Sequence, residues 1–271
     1  MDKHLQFEGL WAVILGGSSG FGYAAAEKLA GHGMNVAVIY RENKSSEKTL
    51  KQNLAQIAEA NSAQIRTYNI NALDGESRES FIKDFTAIAS KGSVKLLLHS
   101  IARGNLKPLI VKDNPDGESH TTLSIDDIQL TTYAMSTSLL DWTRGLLSAG
   151  LFNEDARITG LTSEGAHKYW DGYAAVSIAK SSLESLAKYM AVEFAPYGLK
   201  TNIIQAGVTE TPSLKMIPGS ERLLETGAKR NPLGRMTKPD DVAGVIYLLC
   251  TDESFWINGS IIHVDGGEHC R

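Results

Sequence analysis

A glycine-rich turn set between a strand and a helix constrains this chain more than any other feature. The run WAVIL, residues 11 to 15, leads into LGGSSGFG, with Gly16, Gly20 and Gly22, and then into the helix-forming AAAEKLA. A second apolar run, VAVIY at 36 to 40, precedes a polar segment in which Leu50, Leu54 and Ile57 recur at helical spacing. That is a βαβ unit. A turn of this composition lets backbone approach a pyrophosphate closely and aims helix N-terminal amides at it. Three glycines alone would be an ordinary tight turn; their place between strand and helix points to a dinucleotide. Ser18, Ser19 and Phe21 belong to the same turn and are expected to border that ligand.

The alternation continues through QIRTY (64 to 68), a helix carrying Phe81, Phe85 and Ile88, then VKLLLH (94 to 99), RITGL (157 to 161), KTNII (200 to 204) and SIIHV (260 to 264). Continuous apolar runs suit parallel strands buried on both faces. The pattern predicts an α/β fold, a Rossmann-type doubly wound parallel sheet of about seven strands with helices on both faces. At 271 residues one domain spanning 1–271 is expected. Ligands of such sheets lie at the carboxyl ends of the strands, where long loops gather. The irregular stretches DNPDGESHTT (113 to 122) and roughly 209–235 are therefore the expected substrate loops.

A formal net charge of −4 provides no footprint for nucleic acid or an anionic membrane. No apolar run approaches the roughly 20 residues that span a bilayer. Cys250 and Cys270 lack metal-ligand spacing and the seven histidines are scattered, so no metal site is expected. These features suit a reducing, cytoplasmic setting and a small-molecule substrate.

The second strand ends VIYRENK, placing Arg41, with Lys44 nearby, where dinucleotide folds that take NAD usually carry an acid. A guanidinium grips a 2′-phosphate that a carboxylate repels, so NADPH is the expected cofactor. The alternative is a solvated turn with Glu42 on the ribose, favouring NADH.

These residues, together with Lys180, GVTETP, NPLGRMTKPDDVA (231 to 243) and INGSIIHVDGG, resemble the short-chain dehydrogenase/reductase family along nearly the whole chain. The resemblance implies that Lys180 holds the nicotinamide ribose and lowers the pKa of a nearby phenol. It also implies that Thr211 lies near nicotinamide and pyrophosphate, that the Val208 backbone faces the carboxamide, and that Asn69 and Ile70 border the adenine. Ser100, Ile101 and Ala102 are expected to line the nicotinamide through their backbone. Relatives pair two long helices, here roughly 125 to 149 and 173 to 194, which implies a homotetramer.

Three positions depart from the common pattern. HSIA, His99 to Ala102, replaces the usual Asn-Asn-Ala-Gly run; Met135 and Ser136 stand near the place of a proton-relay asparagine; and the tyrosine is Tyr173, with Val176 at the usual place four before Lys180. Together they resemble the enoyl-acyl-carrier-protein reductases of this family, in their NADPH-dependent branch. Three residues along a helix is a shift of about 4.5 Å and about 60°, so Tyr173 can face the same cleft farther out. Carbonyl reduction needs a proton donor beside the oxygen attached to the carbon that takes hydride. In enoyl-thioester reduction hydride reaches C3 while charge gathers on the thioester oxygen two carbons away, and the donor must sit farther from the nicotinamide. The expected function is thus NADPH-dependent reduction of trans-2-enoyl thioesters, carried by acyl carrier protein or coenzyme A, in fatty-acid biosynthesis. Tyr173 would serve the enolate oxygen, and the 209–235 segment would set acyl-chain length.

Ser163, seventeen residues before Lys180, occupies the place of a catalytic serine in carbonyl reducers. It keeps open a carbonyl or 3-ketoacyl reductase; a catalytically silent NADPH-binding regulator is the third reading. His99 is assigned no chemistry. Arg103 is read as surface or as a contact for an acyl carrier's phosphate, and Tyr133, Met135 and Leu139 as interface or core.

Overall fold

All seven apolar runs enter one parallel sheet, ordered β3-β2-β1-β4-β5-β6-β7. In this computed structural model, which describes residues 6–110 and 122–271, the strands are β1 Trp11–Leu15, β2 Asn35–Tyr40, β3 Ile65–Asn69, β4 Val94–His99, β5 Phe152–Thr162, β6 Leu199–Ala206 and β7 Ile261–Val264. Every residue of β1 and β4 is buried, as their continuous apolar runs require in the middle of a two-sided sheet.

Successive side chains of a strand point to opposite faces, and two cores result. Ala12 and Ile14 join Val36 and Val38 beneath α1 (Gly20–Ala30) and α9 (Pro239–Cys250). Val13 and Leu15 join Ala37 and Ile39 beneath α3 (Gly75–Phe85), α5 (Ser138–Ser148) and α6 (Ala174–Glu193). A further helix, α2 (Lys44–Asn61), links β2 to β3.

Strand order reverses at β1, which pairs with β2 on one side and β4 on the other. The crevice beyond their carboxyl ends is where an open α/β sheet takes its ligand. Gly16 and Ser100 face each other across it, and the Ser100 amide donates to the Leu15 carbonyl at 2.8 Å.

The structure corrects three local expectations. β5 begins at Phe152, five residues before the expected RITGL run. Its early residues Asn153 to Asp155 are polar because Asp155 pairs there with Lys95, Arg157 and Lys200. The helix expected over 125 to 149 is divided into α4 (Ile125–Thr132), a π-helical turn Tyr133–Thr137, and α5. The 209–235 stretch is not irregular throughout: it holds α7 (Pro212–Lys215) and α8 (Ser220–Arg230). Of the other proposed substrate loop, 113 to 122, all but Thr122 lies outside the described residues. Among the described residues no helix is long and apolar enough to cross a membrane.

Candidate active site

Two clefts meet above the carboxyl ends of the strands. The narrower groove, about 430 Å³, runs from Arg41 and Ile70 at one end to Lys180 and Thr211 at the other. Ser18, Ser19, Gly20 and Phe21 form one wall, and Ser100, Ile101 and Ala102 the opposite one. Gly16 sits at its floor with φ +82°, where a Cβ would come within 2.5 Å of the Ser100 carbonyl oxygen. The N-cap of α1, Ser19, makes no side-chain bond to the first turn, and no acidic residue stands there. The amides at that helix end are thus left for an anion. A nicotinamide dinucleotide fits: its pyrophosphate has the helix N-terminus, and Lys180 keeps N–H groups beyond the one it gives to protein.

Four residues expected at the cofactor do not line this groove. Gly22 serves packing instead, since a Cβ there would lie 2.3 Å from the Gly16 oxygen. Lys44 opens α2 behind its N-cap Asn43 and is exposed. The Asn69 amide accepts from the Glu42 N–H at 3.0 Å and donates to the Glu42 carbonyl at 2.9 Å, bracing the loop that carries Arg41. Val208 lines the larger chamber, and its N–H is committed to Glu268 Oε2 at 3.0 Å.

Lys180 is buried on α6, and its Nζ donates to the Leu161 carbonyl at 2.7 Å. Burial pushes its ammonium down to about 8, opposed by the carboxylate of Glu184 one turn later. Glu184, also buried, accepts from Thr162 Oγ1 at 2.6 Å and pairs with His167 at 3.0 Å. Neither Glu184 nor Thr162 stood out in the sequence, although i,i+4 spacing from Lys180 to Glu184 was a usable signal. His99 is fully buried, its Nε2 is 2.9 Å from Ser138 Oγ, and burial, with the Lys180 charge nearby, pushes its pKa down to about 3. It is therefore neutral near pH 7.

Tyr173 lines both clefts. It is the N-cap residue of α6, buried, with its ring against Gly165, where a Cβ would fall 2.5 Å from Cε1. Its hydroxyl lies 3.4 Å from Ser163 Oγ. Burial raises the phenol above its ordinary value, only partly offset by Ser163, so it stays protonated. Val176 packs with Met135 and Tyr173 in a small apolar cluster.

The larger chamber, about 920 Å³, opens on the other side of Tyr173. Leu106, Trp170, Met216 and Ile217 make one flank apolar, while Glu164, Arg230 and Glu268 make the other charged. Arg230 of α8 pairs with Glu164 at 2.9 Å, and Trp170 Nε1 donates to the Pro218 carbonyl at 3.0 Å. The 209–235 segment is tied over the chamber by these bonds. Met135 is core, as expected, and from the π-helical turn it also lines both clefts; such turns are frequent at functional sites. Leu139 is core, as expected, while the half-buried Tyr133 donates to Asp141. Arg103, exposed, stands where the clefts join.

A family model described as Enoyl-(Acyl carrier protein) reductase matches residues 16–269. The chain belongs to the short-chain dehydrogenase/reductase family. Enoyl-[acyl-carrier-protein] reductase [NADH] FabI of Aquifex aeolicus is 32% identical over 66% of this chain and 63% of its own length. Its crystal structure matches with a TM-score of 0.80 at 26% identity, covering 98% of each chain. Other members match more of the chain at somewhat lower identity. A tropinone reductase homolog of Arabidopsis thaliana is 27% identical over 98% of this chain and 96% of its own. A probable 2,4-dienoyl-CoA reductase of Bacillus subtilis is 28% identical over 94% and 95%. The protein is an oxidoreductase of this family with a nicotinamide cofactor.

Proposed function

We propose that the protein reduces trans-2-enoyl thioesters with NADPH in fatty-acid biosynthesis. The observation that carries this reading is that Tyr173 stands where groove and chamber meet, while the position one turn nearer Lys180 holds the apolar Val176. A reduced nicotinamide bound in the groove would supply hydride to C3 of the enoyl group, and the resulting enolate would take a proton from solvent at C2. The Tyr173 hydroxyl, kept protonated by burial, donates a hydrogen bond to the thioester oxygen as negative charge gathers there. One preorganised donor of this kind is worth roughly 3 to 4 kcal/mol. Lys180 holds the ribose hydroxyls with N–H groups not spent on Leu161, and adds positive charge. Arg41 supports NADPH by its reach to a 2′-phosphate, in contrast to the NADH named for the Aquifex relative. The apolar flank takes the acyl chain of an acyl-carrier-protein or coenzyme A thioester. Exposed Ile125 and Leu130 on α4, and Tyr189 and Val192 on α6, support a homotetramer built on those helices.

The test is NADPH oxidation with crotonyl thioester against acetoacetyl thioester. Turnover of the first supports the proposal. A second reading, carbonyl or 3-ketoacyl reduction, is favoured by the closeness of Ser163 to Tyr173, and turnover of the keto substrate alone would establish it. NADPH binding without turnover of either would indicate a regulator.

A further inference from the structure

Beside the chamber, the turn Glu268–Cys270 sets a thiol and an imidazole in a row with the carboxylate of Asp265. Cys270 Sγ lies 3.4 Å from His269 Nε2, and His269 Nδ1 lies 2.6 Å from Asp265 Oδ2. Nucleophile, base and orienting acid in that order form the arrangement that activates a weak nucleophile. The acid end is fixed. Asp265 is buried and accepts the N–H groups of Gly267 and His269 at 3.0 and 2.9 Å. Burial by itself would raise its carboxyl, but these donors and the His269 ring hold it below its ordinary value. The ionised acid keeps the His269 proton on Nδ1 and turns Nε2, as an acceptor, toward sulfur. His263 stacks on the His269 ring at 3.9 Å and limits its rotation.

Cys270 is exposed, whereas Cys250 is buried and its thiol is pushed up to about 12 by that burial. The two sequence neighbours of Cys270, His269 and Arg271, both line the larger chamber. Cys270 does not itself line the chamber, but it belongs to the turn whose Glu268 and His269 do.

We propose that Cys270, activated by His269 and Asp265, is a reactive thiol that exchanges with low-molecular-weight disulfides and so carries a removable adduct beside the chamber. The Sγ proton passes to His269 Nε2 and Sγ attacks one sulfur of the disulfide. The new S–S bond forms as the old one breaks, its electron pair leaving with the departing sulfur, which takes the proton from His269. One disulfide is consumed, and one mixed disulfide and one thiol are formed. The chemistry is independent of which substrate the chamber takes.

The test uses the full chain, with iodoacetamide and glutathione disulfide as probes and intact and peptide mass spectrometry as readout. At pH about 6.5, where an ordinary thiol is about 1% ionised, Cys270 is expected to react on the order of tenfold faster than a free cysteine peptide. His269→Asn and His269→Gln should each return it to the rate and pH profile of the free peptide, with Cys250 unmodified throughout. Asp265→Asn should slow it as well, and thermal melting would show whether that variant is folded. A wild-type rate equal to the free peptide's, or a rate unchanged in both His269 variants, would overturn the proposal.

Discussion

The Tyr173 hydroxyl stands 3.4 Å from Ser163 Oγ, while Ser163 Oγ itself accepts the Gly165 amide at 3.2 Å. A full O–H···O bond spans about 2.5 to 3.0 Å, so the phenol is steered by the serine without being spent on it. Its proton remains for a ligand oxygen at the junction of groove and chamber. Tyr173→Phe is expected to lower turnover of an enoyl thioester by roughly 100- to 1000-fold, with little change in NADPH affinity. Ser163→Ala should cost less than about tenfold, because it removes only the steering contact. Steady-state kinetics with a cofactor titration separate the two, and equal losses for both variants would move the chemistry toward carbonyl reduction.

Lys180 and Glu184 are buried one turn apart, and burial holds the lysine near 8 against the pull of the carboxylate. The ammonium is charged below that value and neutral above it. NADPH affinity is therefore expected to weaken as pH rises through about 8, well before an ordinary lysine at 10.5 would titrate. Glu184→Gln removes the charge that supports the ammonium, so the same loss should begin at lower pH. Fluorescence titration of NADPH between pH 6 and 10 would show it; superimposable profiles for wild type and variant would mean that Glu184 acts only in packing.

Arg41 is exposed at the groove end bordered by Ile70, on a loop braced by Asn69. A guanidinium pairing a phosphate in partly exposed surroundings contributes roughly 1.5 to 3 kcal/mol. Arg41→Ala should thus lower the affinity for NADPH by about 10- to 100-fold and leave that for NADH nearly unchanged. An unaltered ratio of the two affinities would remove Arg41 from cofactor choice.

The sheet was legible because its central strands are buried on both faces, and apolar residues such as Leu96 to Leu98 keep the run recognisable. The start of β5 was not, because Asp155 meets Lys95 and Lys200 across neighbouring strands, a partnership formed only after pairing. Lys180 and Tyr173 could be placed by spacing on one helix. Met135 could not: a π-helical turn shifts the helical phase by one residue, and nothing in TTYAMSTSLL announces it. The bond from the Val208 amide to Glu268 was not legible, because the two residues are 60 apart in sequence. Contacts of that range follow from topology rather than local pattern.

Gly16 and Gly234 separate two costs that glycine turns usually combine. Both have positive φ, +82° and +72°, but a Cβ at Gly16 would lie 2.5 Å from the Ser100 oxygen, whereas nothing lies within 4 Å of one at Gly234. Gly234→Ala should cost only the backbone strain, about 1 kcal/mol. Gly16→Ala adds a collision with main chain at the centre of the sheet, and the β1 and β4 ends must part to relieve it. A total of roughly 3 kcal/mol or more is expected, lowering Tm by on the order of 5 to 10 °C. The same parting displaces Ser100 to Ala102 from the groove wall, so NADPH binding should be lost in Gly16→Ala and retained in Gly234→Ala. Calorimetry with cofactor titration checks both. Equal Tm shifts for the two variants would show that the crevice between β1 and β4 yields without resistance.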